Sequence, residues 1–139
     1  MMQEKRKFQP LTSSDVCQIY ELLHKQGLVA FPVTGVARNK IDALVASITG
    51  SYFGQEIYLS VEEKVVAYLY FLIKDHPFTD GNKRTASLTF STLCEINGLA
   101  PDYNEFGLDE LAVFIEKIQG PEHHEAIKNL ADSIFPKSY

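Results

Sequence analysis

The amino-acid sequence predicts an all-α fold, a compact bundle of about six helices forming a single domain over residues 1–139. Apolar residues recur at intervals of three and four along most of the chain, which is the period of an amphipathic helix. Glycine, proline and helix-capping residues separate these periodic segments. No segment shows the clear alternation of a β-sheet, so helices account for the expected core.

Composition limits the classes of function. The chain is 139 residues long and 45% hydrophobic, which suffices for one buried core. Its formal charge of −5 without a basic stripe disfavours direct nucleic-acid binding. No apolar run approaches the length of a membrane span, and residues 1–7 are charged without an apolar run behind them. We therefore expect a cytoplasmic protein without a membrane segment, in which Cys17 and Cys94 are small buried apolar residues.

The first half of the chain contains two predicted helices. One begins after the capping residue Thr12 and ends at Gly27. Residues 28–38 are predicted to be a connector, because proline and glycine interrupt the apolar pattern. A second, short helix follows over residues 41–48 and ends at Gly50.

A long helix is predicted at the centre of the chain, after an aromatic segment of uncertain form. Residues 51–59 fit either an irregular loop or a short extended flap. Ser60 and Glu63 then have the spacing of a capping box. The helix that they introduce, over residues 61–75, is apolar around much of its circumference, so it should lie in the centre of the fold.

Three further helices complete the predicted bundle. An apolar pattern begins at Leu88 and ends at Asn97-Gly98, and two more helices are predicted over residues 108–118 and 122–134. His123 and His124 are adjacent rather than at metal-ligand spacing. We expect both to face solvent, and His24 likewise, so a metal hydrolase fits the sequence less well.

The segment between the two core helices, residues 76–84, has the sequence HPFTDGNKR. Pro77 requires the chain to leave the helix there. Two buried helices could be joined by a few small polar residues, so the many titratable side chains require a separate explanation.

The end of this segment has the properties of an anion site. Gly81 and Asn82 precede the next helix, whose first N–H groups lack intrahelical partners. Lys83 and Arg84 add two cations where the helix dipole disfavours them unless an anion is bound. Phosphate is the natural candidate.

The remaining polar residues suit catalysis beside a phosphate. Asp80 supplies a hard oxygen ligand for Mg²⁺, which proteins commonly hold with one carboxylate together with substrate phosphates. His76 could accept the proton of an attacking hydroxyl, and Phe78 should anchor the loop to the core. Each residue alone is typical of an ordinary turn or solvated face, but the combination favours a magnesium–phosphate site.

These residues resemble the core motif of the Fic/Doc family, His-x-Phe-x-(Asp/Glu)-Gly-Asn-(Gly/Lys)-Arg, at every fixed position. The resemblance to the death-on-curing branch of the family extends over roughly residues 12–119. It implies that His76 is the general base and that Asp80 holds Mg²⁺. It also implies that Gly81, Asn82, Lys83 and Arg84 contact the phosphates of ATP, the expected substrate.

The resemblance also implies a flap that aligns the target protein. Residues 52–58 of the aromatic segment are the candidate, with four residues expected to contact the target: Phe53, Gln55, Ile57 and Tyr58. No stretch matches the family's inhibitory helix, so the resemblance implies inhibition in trans by an antitoxin or another regulatory partner. A fused regulatory domain outside this sequence is the alternative.

Two departures from AMP-transferring relatives bear on the reaction. Lys83 stands where those relatives have a second glycine, and Ser87 where they have a second arginine. Both differences resemble the Doc-like branch. The resemblance implies a toxin that moves a phosphoryl group from ATP to a protein hydroxyl, with a translation factor such as elongation factor Tu as candidate target. AMP transfer, or AMPylation, is the alternative reaction. The alternative of another class is a catalytically silent binding or regulatory module.

Overall fold

The computed structural model describes residues 7–103 and 107–136 of the chain. Six α-helices are present in this part: α1 (Ser13–Lys25), α2 (Gly35–Thr49), α3 (Val61–Lys74), α4 (Asn82–Ile96), α5 (Leu108–Lys117) and α6 (His123–Ile134). Two very short strands, β1 (Ser51–Tyr52) and β2 (Gln55–Glu56), lie between α2 and α3. The predicted all-α fold is confirmed. Residues 1–6, which belong to the charged N-terminal segment considered in the sequence analysis, lie outside the described residues.

Helix α3 forms the centre of the fold, as predicted. The hydroxyl of Ser60 accepts a hydrogen bond from Glu63 N at 3.0 Å and caps its first turn. Residues 65–70 are all 0% exposed, and the helix packs against α2, α4, α5 and α6. Because α3 and α4 pack together most extensively, the loop between them starts and ends on rigid elements.

Helix α2 begins earlier than the sequence predicted. Residues 35–38 were assigned to a connector, but Thr34 accepts a hydrogen bond from Ala37 N at 3.1 Å and starts the helix at Gly35. Glycine is tolerated in the first turn when a threonine caps it. The connector is therefore limited to the residues between Lys25 and Gly35.

The aromatic segment forms a β-hairpin, which decides between the two predicted forms in favour of an extended flap. Ser51 pairs with Glu56 and Tyr52 with Gln55. Phe53 and Gly54 occupy the turn with φ of 52° and 78°, the positive values that a two-residue type I′ hairpin requires.

Two of the histidines expected to face solvent are instead partly buried. His123 Nδ1 lies 2.7 Å from the hydroxyl of Tyr70, a side chain that is 0% exposed. A phenol buried this deeply needs a hydrogen-bond partner, which explains the inward position of His123. His24 Nδ1 lies 3.1 Å from Val29 O. His124 is exposed, as expected, and its ring stacks on Tyr58.

Two further expectations concern the core and the membrane. Cys17 and Cys94 are buried, as predicted, and burial raises the pKa of the Cys94 thiol to about 12. None of the helices in the described residues has the length and apolarity needed to cross a bilayer.

Candidate functional site

A cavity of about 630 Å³ lies at the N-terminal end of α4. The loop between α3 and α4 and the first turns of α4 form one side of it, and α5 forms another. The predicted residues that line it are His76, Asp80, Gly81, Asn82, Lys83 and Arg84. The structure therefore brings the whole predicted catalytic and phosphate-binding set to one space.

The loop is anchored through two buried residues, Pro77 and Phe78. The Phe78 ring stacks on Tyr20 of α1, with ring centroids 3.9 Å apart and planes 12° apart. The Tyr20 hydroxyl in turn donates a hydrogen bond to Phe31 O at 2.6 Å. The predicted role of Phe78 as an anchor is confirmed, because this stack attaches the loop to the core.

The side chain of Asn82 closes the loop. Its Oδ1 accepts a hydrogen bond from Phe78 N at 2.9 Å, and its Nδ2 donates to Phe78 O at 2.8 Å. These two bonds fix the orientation of the amide, since only the nitrogen can donate. A phosphate contact from this residue would therefore come from its backbone N–H rather than its side chain.

His76 has a backbone φ of 44°, a left-handed conformation that few residues other than glycine adopt. Asn82 Nδ2 lies 3.4 Å from His76 Nδ1. The imidazole is exposed and borders the cavity. Its place and its chemistry suit a proton acceptor for a hydroxyl entering the cavity.

Gly81 is the N-cap of α4, with φ of 78° and no side-chain cap. A Cβ at this position would overlap the Cγ1 atom of Val29, so a larger residue would meet both backbone strain and a steric clash. The first N–H groups of α4 border the cavity without intrahelical partners. The motif's last three residues are helical, so Asn82 begins the helix rather than preceding it.

Asp80 is the carboxylate of the loop and lines the cavity. Its Oδ2 accepts a hydrogen bond from Ala30 N at 3.3 Å, and Oδ1 has no hydrogen-bond partner in the described part of the chain. No group of three or more His, Cys, Asp or Glu residues there could hold a metal by itself. A single carboxylate fits Mg²⁺ whose other ligands are phosphate oxygens and water.

The two cations at the start of α4 already have partners. Lys83 Nζ is 2.9 Å from Oε2 of Glu116, and Arg84 donates to Leu28 O at 3.0 Å. The hydrogen bond from Lys83 lowers the pKa of Glu116. Both cations therefore have a partner at the cavity, and a carboxylate occupies the position next to Lys83.

A model of the Fic/DOC family matches residues 10–94, which are 85 of the 139 residues. The matched region includes α1, α2, the hairpin, α3 and the complete 76–84 loop. The chain belongs to the Fic/DOC family. Its match to a protein named Toxin Doc, from Mycolicibacterium smegmatis (strain ATCC 700084 / mc(2)155), is 38% identical over 66 residues. That alignment covers 46% of this chain and about half, 51%, of the relative. No solved structure gives a significant match.

The predicted flap residues of this Fic/DOC protein differ in their accessibility. Phe53 is 90% exposed at the hairpin turn, Gln55 is exposed, and Ile57 is 37% exposed. Tyr58 is only 2% exposed, so the prediction that its side chain contacts a target is corrected. It packs in the core against the ring of His124 because it follows the hairpin, where the chain returns to α3.

Several residues that line the cavity of this Fic/DOC protein were not predicted from the sequence. The most informative are Asp109 and Glu116 on α5, seven residues apart and therefore on one face of the helix. The sequence does contain this spacing. Nothing in it, however, connects that face of α5 with a loop more than twenty residues earlier.

Proposed function

We propose that this Fic/DOC protein transfers a phosphoryl group from magnesium-bound ATP to a hydroxyl group of a target protein. The observation that supports this most is the convergence of His76, Asp80 and the start of α4 on one cavity. A proton acceptor, a single hard carboxylate and an anion site are the groups that phosphoryl transfer requires from a protein.

In the proposed reaction the target hydroxyl oxygen forms a bond to the γ-phosphorus of ATP. The bond between that phosphorus and its bridging oxygen to the β-phosphate breaks, and ADP leaves. His76 receives the hydroxyl proton. Lys83, Arg84 and the N–H groups of α4 neutralise and orient the phosphates. Mg²⁺ held by Asp80 would offset phosphate charge when bound.

Lys83 is the reason for preferring phosphoryl transfer to AMP transfer. Its side chain occupies cavity space that a glycine would leave open, which affects how deeply each phosphate can enter. Labelling distinguishes the two reactions: γ-labelled ATP should transfer its label to the target in a cell extract, whereas α label on the target would establish AMP transfer instead.

The relative named Toxin Doc supports a toxin-type role and inhibition by an antitoxin in trans as further parts of the proposal. Controlled expression in bacterial cells should then stop growth, and co-expression of a cognate partner should restore it. Growth unaffected by the active protein would oppose the toxin role without bearing on the transfer reaction.

We predict that His76→Ala lowers label transfer by about 100-fold or more, since a general base typically contributes that much. The matched control is His124→Ala, which removes an exposed histidine that does not line the cavity. It should retain activity. If His76→Ala leaves target modification intact, the chain is better described as a binding module whose effect does not depend on chemistry.

A further inference from the structure

An ion pair between α4 and α5 joins two sides of the cavity. Lys83 Nζ, from the first turn of α4, lies 2.9 Å from Glu116 Oε2, near the end of α5. Both residues line the cavity. The pair is therefore a contact inside the candidate site, not a remote surface salt bridge.

The charges around the cavity do not suit an anion as they stand. The described lining residues include two cations, Lys83 and Arg84, and three carboxylates, Asp80, Asp109 and Glu116. A site for a polyanion should carry excess positive charge. Asp80 has a proposed role with Mg²⁺, but the carboxylate nearest to Lys83 has none, and it competes for the same ammonium as a phosphate would.

We propose that Glu116 is a specificity-determining residue that occupies the place of a phosphate oxygen at Lys83 until a nucleotide displaces it. Lys83 then becomes available only to ligands whose phosphate chain reaches it with enough charge to displace the carboxylate. The inference rests on the proposed function in one respect, namely that the ligand carries phosphates.

The contact is suited to such an exchange. The Lys83 and Glu116 side chains are 45% and 37% exposed, and ion pairs with this exposure are weak. A phosphate offers several charged oxygens to the same ammonium, whereas the carboxylate offers one unit of charge. A bound phosphate therefore outcompetes Glu116 for Lys83.

Only the Glu116 side chain has to move. The backbone of α5 is held in place by the buried residues Ala112 and Ile115. Lys74 of α3 also donates a hydrogen bond to Glu116 O at 3.2 Å. A change of side-chain rotamer releases the carboxylate to solvent while the helix remains docked.

The test compares Glu116→Gln with the wild-type chain by calorimetric titration of ATP, inorganic triphosphate and adenosine, at constant magnesium and ionic strength. Glutamine keeps the size of the side chain and removes its charge. We expect ATP and triphosphate to bind roughly two- to five-fold more tightly to the variant, the range typical of losing an exposed ion pair. Adenosine, which has no phosphate, should bind unchanged.

Glu110→Gln is the matched control, because it removes the same charge from the same helix on a face that does not line the cavity. It should leave all three affinities unchanged. Introducing Lys83→Met should abolish the gain from Glu116→Gln, because the carboxylate acts through Lys83.

Weaker or unchanged ATP binding by Glu116→Gln would overturn the inference, and so would an equal gain in the Lys83→Met background. Failure of the wild-type chain to bind either phosphate compound would overturn both this inference and the proposed function. Tighter binding by the variant without any label transfer by the wild-type chain would support the inference and oppose the proposed reaction alone.

Discussion

His76 holds a strained backbone conformation at the edge of the cavity. A positive φ in a residue other than glycine costs on the order of 1 kcal/mol and persists only where the surroundings enforce it. Here the next two residues, Pro77 and Phe78, are buried, and Asn82 binds the backbone of Phe78 on both sides. The backbone conformation of His76 is therefore imposed by its neighbours.

We predict that Asn82→Ala impairs activity beyond its effect on stability. Losing two hydrogen bonds to Phe78 should lower the free energy of unfolding by about 1–3 kcal/mol. Transfer should fall by at least about tenfold, because the loop no longer holds His76 at the cavity. The measurements are chemical denaturation and labelled-phosphate transfer on the same preparations.

Asn97 provides a matched control at the other end of α4. Its amide accepts from Gln9 N at 2.8 Å and donates to Gln9 O and Leu93 O. Asn97→Ala should therefore cost similar stability while transfer by the folded protein remains intact. Equal losses of activity in the two variants would mean that the amide of Asn82 has no specific role in the site.

At this scale the sequence predicted residue types better than their contacts. Phe78 was predicted as an anchor from its apolar ring among polar neighbours. The bonds of Asn82 to Phe78 could not be predicted, because an asparagine before a helix is equally suited to a cap, a turn or a ligand. Only the closed loop decides which of these it forms.

The hairpin is attached to the bundle through a buried charge. Lys64 of α3 has a side chain that is 6% exposed, and its Nζ lies 3.0 Å from Glu56 Oε1 on β2. The same ammonium lies 5.8 Å from the centre of the Phe8 ring. A lysine this deeply buried needs an anionic partner, so the charge pair fixes the base of the flap while Phe53 remains exposed at its tip.

We predict that Glu56→Ala destabilises the fold by about 1–2 kcal/mol, since it leaves the Lys64 ammonium buried without its carboxylate. Adding Lys64→Met should recover most of this loss. Glu21→Ala serves as the comparison, because its pair with Arg38 is 44% and 51% exposed and should contribute little. Similar unfolding free energies for Glu56→Ala and Glu21→Ala would contradict the prediction.

Helices were predicted from apolar periodicity, and their limits depended on local capping. The start of α2 was missed because Pro32 and Gly35 indicated a connector. In the structure the hydroxyl of Thr34 caps a helix that begins at the next residue, Gly35. The role of α5 was missed for a different reason. The carboxylates on its polar face would also be expected on an ordinary solvated face, and only tertiary packing brings Glu116 to Lys83.

The buried tyrosines Tyr58 and Tyr68 place ionisable hydroxyl groups inside the core. Burial raises the pKa of Tyr58 and of Tyr68 to about 12. The Tyr68 hydroxyl donates a hydrogen bond to Leu11 O at 2.7 Å. The folded state therefore retains phenol protons that the unfolded chain releases near pH 10.

The raised pKa values of Tyr58 and Tyr68 make the stability of the fold depend on pH. A pKa raised by folding means that the native state binds more protons, so stability is complete below pH 10 and falls as the pH rises towards about 12. We predict a loss of up to roughly 2 kcal/mol for each of these tyrosines. Tyr58→Phe should reduce the slope between pH 10 and pH 12 in denaturation experiments. A free energy of unfolding that stays constant over this range would contradict the prediction.

The two partners of the ion pair across the cavity, Lys83 and Glu116, are added to the chain at different times during synthesis. One side of the cavity is built from the loop between α3 and α4 and from the start of α4, which carry His76, Asp80, Lys83 and Arg84. These segments are close in sequence, so the contacts between them form quickly. Glu116 follows the end of α4 by twenty residues, which a ribosome adds in about one to four seconds at ~5–20 residues per second. During that interval the nascent chain contains Lys83 without the carboxylate that later covers it. The carboxylate that pairs with Lys83 is therefore the last of these charged cavity groups to be added to the chain.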